Sequence, residues 1–155
     1  MEPTQELRRV QEVFYSFRRV HQIFYQKLLK AAQPYGITPV QVLVMRALSD
    51  GAGISLTELA ERIHLGVSTT SGIVDRMEKA GLVARERLEA DRRAVRLTLT
   101  DKGAAVWRNT NETRLKLLRP LLRLPKEDLD ALLRIHEQIV QTLQTTGVET
   151  DNEPN

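Results

Sequence analysis

Hydrophobic positions recur along the first segment of the chain with the period of a helix. From about Gln5 to Ala32, apolar residues return every three or four positions. The stripe consists of Leu7, Val10, Phe14, Phe17, Phe24 and Leu28, and Val13, Val20 and Ile23 widen it. His21 lies where an apolar residue is expected. A stripe of this length suits packing against a helix of a partner chain, although an intramolecular core would produce the same pattern.

Three further helices are predicted from their start and stop signals. Thr38, followed by proline, is an N-cap candidate for the second helix. Ser55 and Glu58 have the spacing of a capping box and predict the start of a third. After a short break, Ser68 is predicted to cap a fourth helix, and Gly81 is a favoured residue for its end. Two short helices joined by a tight break suggest a helix-turn-helix.

A change of period marks a ribbon after the fourth helix. Val95, Leu97 and Leu99 alternate with small or polar residues, as in a strand with one buried face, and residues 82–87 are the predicted partner strand. The order of helix, turn, helix and hairpin predicts a winged helix-turn-helix. The expected fold class is therefore mainly α, with a small β-wing.

Apolar helices are also predicted after the ribbon, and they complete the domain organisation. A fifth helix runs from Thr100 towards Pro120, which should break it, and a last helix follows. Residues 5–35 and 101–144 are assigned to a helical platform and residues 36–100 to the winged helix-turn-helix domain. The polar residues 145–155 are expected to form a disordered tail.

Composition excludes several classes of protein. The 155 residues suffice for one compact domain, or for two small ones that share a core. No apolar run has the length of a membrane span, and no signal peptide is recognisable. The absence of cysteine excludes disulfide scaffolds, cysteine-bound zinc and thiol redox sensing. The net charge of +3 is too small to indicate nucleic acid by itself.

The fourth helix has one apolar and one polar side. On a helical wheel Ile73, Met77 and Ala80 face inward, with Val74 and Thr70 beside them. The outward positions are Ser68, Ser71, Gly72, Asp75 and Lys79, with Thr69 and Arg76 at the margin. Small hydroxyl side chains can approach base edges and donate to phosphates, but an ordinary solvated face has the same appearance.

Arginines are concentrated in the predicted ribbon, at Arg85, Arg87, Arg92, Arg93 and Arg96. Arg92 and Arg93 lie near the hairpin tip, where an arginine on a stiff ribbon can enter the minor groove of DNA. Acidic residues, among them Asp91, lie beside these arginines. They indicate that carboxylates hold the arginines in position, and they argue against a ribbon that binds only through unspecific positive charge.

Three stretches in order carry a family resemblance. They are GITPVQ at 36–41, VDRMEKAGLV at 74–83, and DRR at 91–93 followed by LTLTDKG at 97–103. With these stretches the sequence resembles, over nearly its whole length, the MarR family of bacterial winged-helix transcription regulators. The resemblance implies a homodimer in which the first, fifth and last helices interlock, so that the platform is a dimerisation region. It also implies a pseudo-palindromic double-stranded DNA operator with half-sites about 10 base pairs apart.

The resemblance also assigns roles to residues. It places Ser68, Thr69, Ser71 and Arg76 at the major groove or its phosphates, and Arg92 and Arg93 at the wing. Asp91 is expected to orient Arg93, and Asp75 to pair with a wing arginine. A small anionic or phenolic effector is implied between the platform and the winged helix-turn-helix domain, with candidate contacts at His21, Tyr25, Tyr35, Arg46 and Trp107. Each of these five residues has packing or interface hydrogen bonding as its ordinary alternative.

The functional hypothesis is a cytoplasmic, homodimeric, sequence-specific DNA-binding repressor released by a small ligand. A winged helix that binds proteins without specific DNA recognition is the alternative. No cofactor is expected, and zinc sensing is disfavoured because the three histidines are dispersed. An enzyme is not expected, because His136 and Glu137 are the closest His–carboxylate pair and adjacent helix residues point about 100° apart.

Overall fold

Six α-helices and a two-stranded antiparallel sheet make up residues 4–87 and 95–146, the residues that the computed structural model describes. The helices are α1 (Gln5–Ala32), α2 (Pro39–Leu48), α3 (Leu56–Arg62), α4 (Val67–Lys79), α5 (Asp101–Leu118) and α6 (Lys126–Thr146), and the strands are β1 (Val83–Arg87) and β2 (Val95–Leu99). Short 3-10 helices cover Gln33–Tyr35 and Arg119–Arg123. The winged-helix class predicted from the sequence is confirmed.

Capping boxes begin both α2 and α3, where the sequence predicted an N-cap at Thr38 and a capping box at Ser55. The backbone N–H of Gln41 donates to Thr38 Oγ1 at 3.4 Å, and that of Thr38 donates to Gln41 Oε1 at 2.9 Å. At α3 the N–H of Glu58 donates to Ser55 Oγ at 3.1 Å, and the N–H of Ser55 donates to Glu58 Oε2 at 2.7 Å. These bonds from Ser55 lower the pKa of the Glu58 carboxyl. Both helices therefore start from reciprocal contacts within four residues.

The start of α4 differs from the prediction. Gly66 is the N-cap, in extended conformation, and its carbonyl accepts from the backbone N–H and the hydroxyl of Thr70, each at 2.9 Å. Ser68 lies inside the first turn, so its predicted role as a cap is wrong. The end of the helix is as predicted, because Gly81 follows it with a φ of +72°.

The hydrophobic core is formed by α2, α3, α4 and the sheet. Its members include Val44, Met45, Leu48, Leu59, Ile73, Val74, Met77, Val83 and Leu97, each nearly inaccessible to solvent. Thr70 and Val74 are fully buried because α4 packs against both α3 and β1. Ala80, predicted to face inward, is exposed, because the helix ends at Lys79 and Ala80 is its C-cap.

The wing strands pair in antiparallel register, with Val83 opposite Leu99. Ile54, in the connection between α2 and α3, adds a bridge to Leu97 through bonds of 2.8 and 3.2 Å. Leu97 is buried whereas Val95 is exposed, because the ribbon leaves the core as it approaches its tip. Residues 88–94, which join the strands, lie outside the described residues.

The chain divides into two compact units, one up to Leu118 and one from Arg119 onward. In the first, α1 packs against α5 and α2. In the second, α6 follows the 3-10 helix Arg119–Arg123, which contains Pro120 and interrupts the helix as predicted. None of the described helices is long and apolar enough to cross a membrane. The assignment of a dimerisation platform to residues 5–35 and 101–144 stays a prediction.

Large apolar side chains remain exposed on the helices at both ends of the chain. On α1 they include Leu7, Val10, Val13, Phe14, Val20 and Ile23, and on α6 they include Leu132, Leu133, Ile135, Val140 and Leu143. Within its own unit neither helix buries its whole apolar stripe.

Candidate nucleic-acid interface

One surface of α4 presents the hydroxyl side chains and the arginine that the sequence singled out. Ser68, Thr69 and Arg76 are exposed, and Ser71 is half-buried. Thr69 and Arg76 are seven residues apart, about two turns, and therefore lie on the same side. The Arg76 guanidinium lies over Gly72, since a β-carbon placed there would be 3.9 Å from Nη1. The structure brings these residues together on one surface, and their contact with DNA stays a prediction.

Arg85 of β1 connects the wing to α4 through two ion pairs. Its Nη2 donates to Asp75 Oδ1 at 2.6 Å, and its Nη1 donates to Glu78 Oε2. The hydrogen bond to Asp75, with the charges of both carboxylates, raises the pKa of Arg85. Asp75 thus pairs with an arginine of the wing. Glu78 was missed by the sequence reasoning, although its spacing of three from Asp75 places both acids on one side of the helix.

A second arginine holds the wing to the connection between α2 and α3. Arg96 Nη1 donates to the carbonyl of Gly53 at 2.7 Å. Gly53 has a φ of +68°, and a β-carbon there would be 3.2 Å from Thr98 Cγ2. Thr98 itself donates to Glu86 Oε1 across the sheet at 3.2 Å. The guanidinium groups of Arg85 and Arg96 are therefore engaged with the protein.

The tip residues Asp91, Arg92 and Arg93 lie outside the described residues, so their roles stay predictions. What the structure describes is the base of the ribbon, up to Arg87 on one strand and from Val95 on the other. Arg87 is exposed at the end of β1.

Residues Thr100 to Gly103 connect the base of the wing to α5 through hydrogen bonds. The Thr100 hydroxyl donates to the carbonyl of Gly81 at 2.6 Å and accepts from the N–H of Gly103 at 3.0 Å. The N–H of Thr100 donates to the carbonyl of Leu82 at 3.2 Å. Lys102 donates to the carbonyl of Ala80 at 2.9 Å. The end of α4, the start of β1 and the first turn of α5 are thereby joined at one point.

Known proteins with a similar sequence or fold identify the family of this winged helix-turn-helix chain. The model of the MarR family matches residues 37–95. An uncharacterised HTH-type transcriptional regulator of Bacillus subtilis, YsmB, is 30% identical over 89% of this chain and 92% of its own length. A MarR family protein from Bacillus stearothermophilus has a structure with a TM-score of 0.76, at 30% identity over 88% of this chain and 96% of that one. The chain belongs to the MarR family.

A solved structure with bound DNA has a similar fold. The transcriptional repressor CouR, solved on a 23-mer DNA duplex, superposes with a TM-score of 0.73, at 27% identity over 90% of this chain and 99% of that one. As a member of the MarR family, the chain is therefore a winged-helix transcription regulator.

The five residues predicted as effector contacts in this MarR family chain lie on four different elements. His21 and Tyr25 stack on α1, with ring centroids 6.3 Å apart and an angle of 22°. Trp107 packs against the core, and Tyr35 is exposed in the 3-10 helix after α1. Arg46 is exposed on α2, where it lines a cleft with residues of α3. Their contact with an effector stays a prediction.

Arg114 on α5 was not singled out from the sequence. Its pKa is lowered by burial, and also by the positive charge of Arg46. Nη2 donates to Asn111 Oδ1 at 2.6 Å, while Arg114 Nε and the fully buried Thr110 Oγ1 have no hydrogen-bond partner in the described parts of the chain. Arg46 and Arg114 are far apart in the sequence, so no local pattern indicates that they approach each other.

Proposed function

We propose that the protein is a homodimeric, sequence-specific DNA-binding repressor that works in the cytoplasm and is released by a small anionic or phenolic ligand. The observation that carries the proposal is the attachment of α4 to the wing by Arg85. It makes one rigid reading head in which the exposed hydroxyls of α4 and the ribbon are presented together. Such a head suits a helix in the major groove with a ribbon beside it.

DNA recognition is assigned to Ser68, Thr69, Ser71 and Arg76 on α4 and to Arg92 and Arg93 at the wing, oriented by Asp75 and Asp91. The exposure of the α4 side chains and the DNA-bound structure of CouR support this assignment. That CouR is a repressor supports the same direction of regulation here.

A homodimer is supported by the exposed apolar side chains of α1. Val10 and Phe14 are 65% and 57% exposed, one helical turn apart. A contiguous apolar surface of this kind marks an interaction site in a protein that stays in solution. A second copy of α1 and its neighbouring helices would cover it.

Release by an anionic ligand is supported by Arg46. Its side chain is exposed, and in the described portion of the chain no carboxylate is paired with it. An unpaired guanidinium beside a cleft is a ready partner for a carboxylate or a phenolate.

Selection of bound fragments from a random DNA pool tests the proposal. We expect enrichment of a pseudo-palindrome, and affinity for it that falls with salt. Replacing both wing arginines, Arg92→Ala with Arg93→Ala, should weaken binding at least about tenfold at moderate salt. Arg108→Ala, at an exposed position on α5, is the matched control and should leave affinity unchanged. A pool without an enriched sequence would favour a winged helix that binds protein.

A further inference from the structure

A cleft opens between the C-terminal halves of α2 and α3, with a volume of about 390 Å³. Leu43 and Ile63 contribute apolar wall, and Arg46, Arg62 and His64 contribute the nitrogen-bearing groups. The volume is within the range of small-molecule sites. Apolar walls with a few convergent polar groups are the usual composition of such sites, so the cleft has both the size and the lining of a binding site.

His64 occupies this cleft at a conformational cost. Its φ is +56°, and among the described residues it is the one non-glycine in the left-handed region. It directly follows the C-cap of α3, where the N–H of His64 donates to the carbonyl of Glu61 at 3.1 Å and that of Leu65 to the carbonyl of Ala60 at 3.0 Å. Glycine is the residue that this position favours, because a β-carbon is strained there. His64 is exposed, so core packing does not account for its conformation, and its side chain is available at the lining of the cleft.

The charges of the cleft favour a single negative charge. Arg62 Nη1 lies 3.7 Å from Asp50 Oδ2 and 3.4 Å from the carbonyl of Ala47, both long contacts that leave donors of the guanidinium available. Arg46 has no paired carboxylate within the described ranges. Two guanidinium groups beside one carboxylate give the cleft a net positive charge, and Asp50 disfavours a ligand with two negative charges.

We propose that this cleft binds a small organic monocarboxylate. Arg46 and Arg62 hold the carboxylate, His64 donates to it or stacks on it, and Leu43 and Ile63 contact the apolar body. Inorganic phosphate fits less well, because it leaves the apolar wall uncovered and meets Asp50. The inference rests on the proposed function for its role in regulation, since a ligand here ties α3, the first helix of the helix-turn-helix, to α2.

Calorimetric titration of the full-length protein without DNA tests the site. The probes are cyclohexanecarboxylate and its neutral isostere cyclohexanecarboxamide. We expect saturable binding of the carboxylate with a Kd of about 1 mM or tighter, and binding of the amide at least about tenfold weaker. Absence of saturable binding up to about 10 mM overturns the proposal, as does equal binding of the amide.

Three variants locate the bound carboxylate. Arg62→Gln should weaken binding about tenfold or more. His64→Gly should also weaken it, yet should raise the unfolding midpoint in urea, because glycine relieves the strained backbone. This opposite response separates ligand contact from structural damage. Arg114→Gln should leave affinity unchanged. If it abolishes binding while Arg62→Gln does not, the carboxylate lies on the α5 side of Arg46 and the cleft proposal is wrong.

Affinity for the selected operator is measured on the same preparations. Wild-type protein that binds the carboxylate in the cleft but has no specific DNA affinity contradicts the proposed regulator and leaves the site standing. Protein that binds DNA specifically, with carboxylate affinity unaffected by Arg62→Gln and His64→Gly, contradicts the site and leaves the regulator standing.

Discussion

Gly103 occupies a position where the fold has no room for a side chain. A β-carbon there would lie 1.9 Å from the carbonyl oxygen of Leu82, far inside van der Waals contact. That carbonyl accepts the N–H of Thr100, so it cannot turn away without loss of a hydrogen bond. The close approach of α5 to the backbone directly before β1 therefore depends on this glycine.

Gly103→Ala should lower the free energy of unfolding by about 2 kcal/mol or more, because backbone and not a flexible side chain must move. Gly72→Ala is the matched control. Its β-carbon would meet only the end of Arg76, at 3.9 Å, and alanine in a helix interior should add about 1 kcal/mol of stability. Urea unfolding measures both variants, and equal midpoints for the two would contradict the predicted clash.

Single residues also show how far the sequence could predict this structure. The N-cap at Thr38 and the capping box at Ser55 are contacts within four residues, so local sequence signals were enough to predict them. Ser68 is not the cap, because glycine is also accepted at the N-cap and the helix begins directly after Gly66. The left-handed backbone of His64 was not predicted, because histidine adopts that region more often than most residues but too rarely for its presence to indicate it.

At the scale of elements, the contact between α4 and β1 was predicted only in part. The outward position of Asp75 indicated a wing arginine as its partner, but not which one. Five arginines lie in or near the ribbon, and the register of the strands decides which of them faces α4. The cleft between α2 and α3 escaped prediction for the same reason, since Arg46 and Arg62 meet only through the packing of two helices.

Arg85→Met should weaken operator binding about tenfold while costing about 1 kcal/mol of stability or less, because the ion pairs are partly exposed. The loss has two causes, a wing that is free to move and two carboxylates left unpaired close to DNA phosphates. Adding Asp75→Asn should recover part of the affinity, because it removes one of those carboxylates. Fluorescence anisotropy with operator DNA measures both effects, and unchanged affinity in the single variant would show that Arg85 does not position the wing.

At the scale of the whole molecule, large apolar side chains of α1 and α6 stay exposed and are not covered by the core of the chain. The sequence pattern left open whether the α1 stripe served an internal core or a partner, and the exposure of Val10 and Phe14 favours the partner. Periodicity alone could not decide this, because an apolar face looks the same whichever surface covers it.

Val10→Asp should convert the proposed dimer to a monomer at micromolar concentration, because it places a charge in the proposed interface. Gln11→Asp adds the same charge at the next position of α1, on a different side of the helix, and should leave the dimer intact. Light scattering across a dilution series distinguishes the two. A variant and control of equal mass would contradict an interface on this side of α1.

The attachment of the wing at Arg85 and at Thr100 has a consequence for the operator. Because the wing is fixed to α4, each DNA-binding domain keeps its shape, and the proposed dimer then fits only half-sites at one separation. One inserted base pair displaces the second half-site by about 3.4 Å and turns it by roughly 35° around the DNA axis. A rigid DNA-binding domain cannot follow that rotation, so the regulator would discriminate among genomic sites by half-site spacing as strictly as by base sequence.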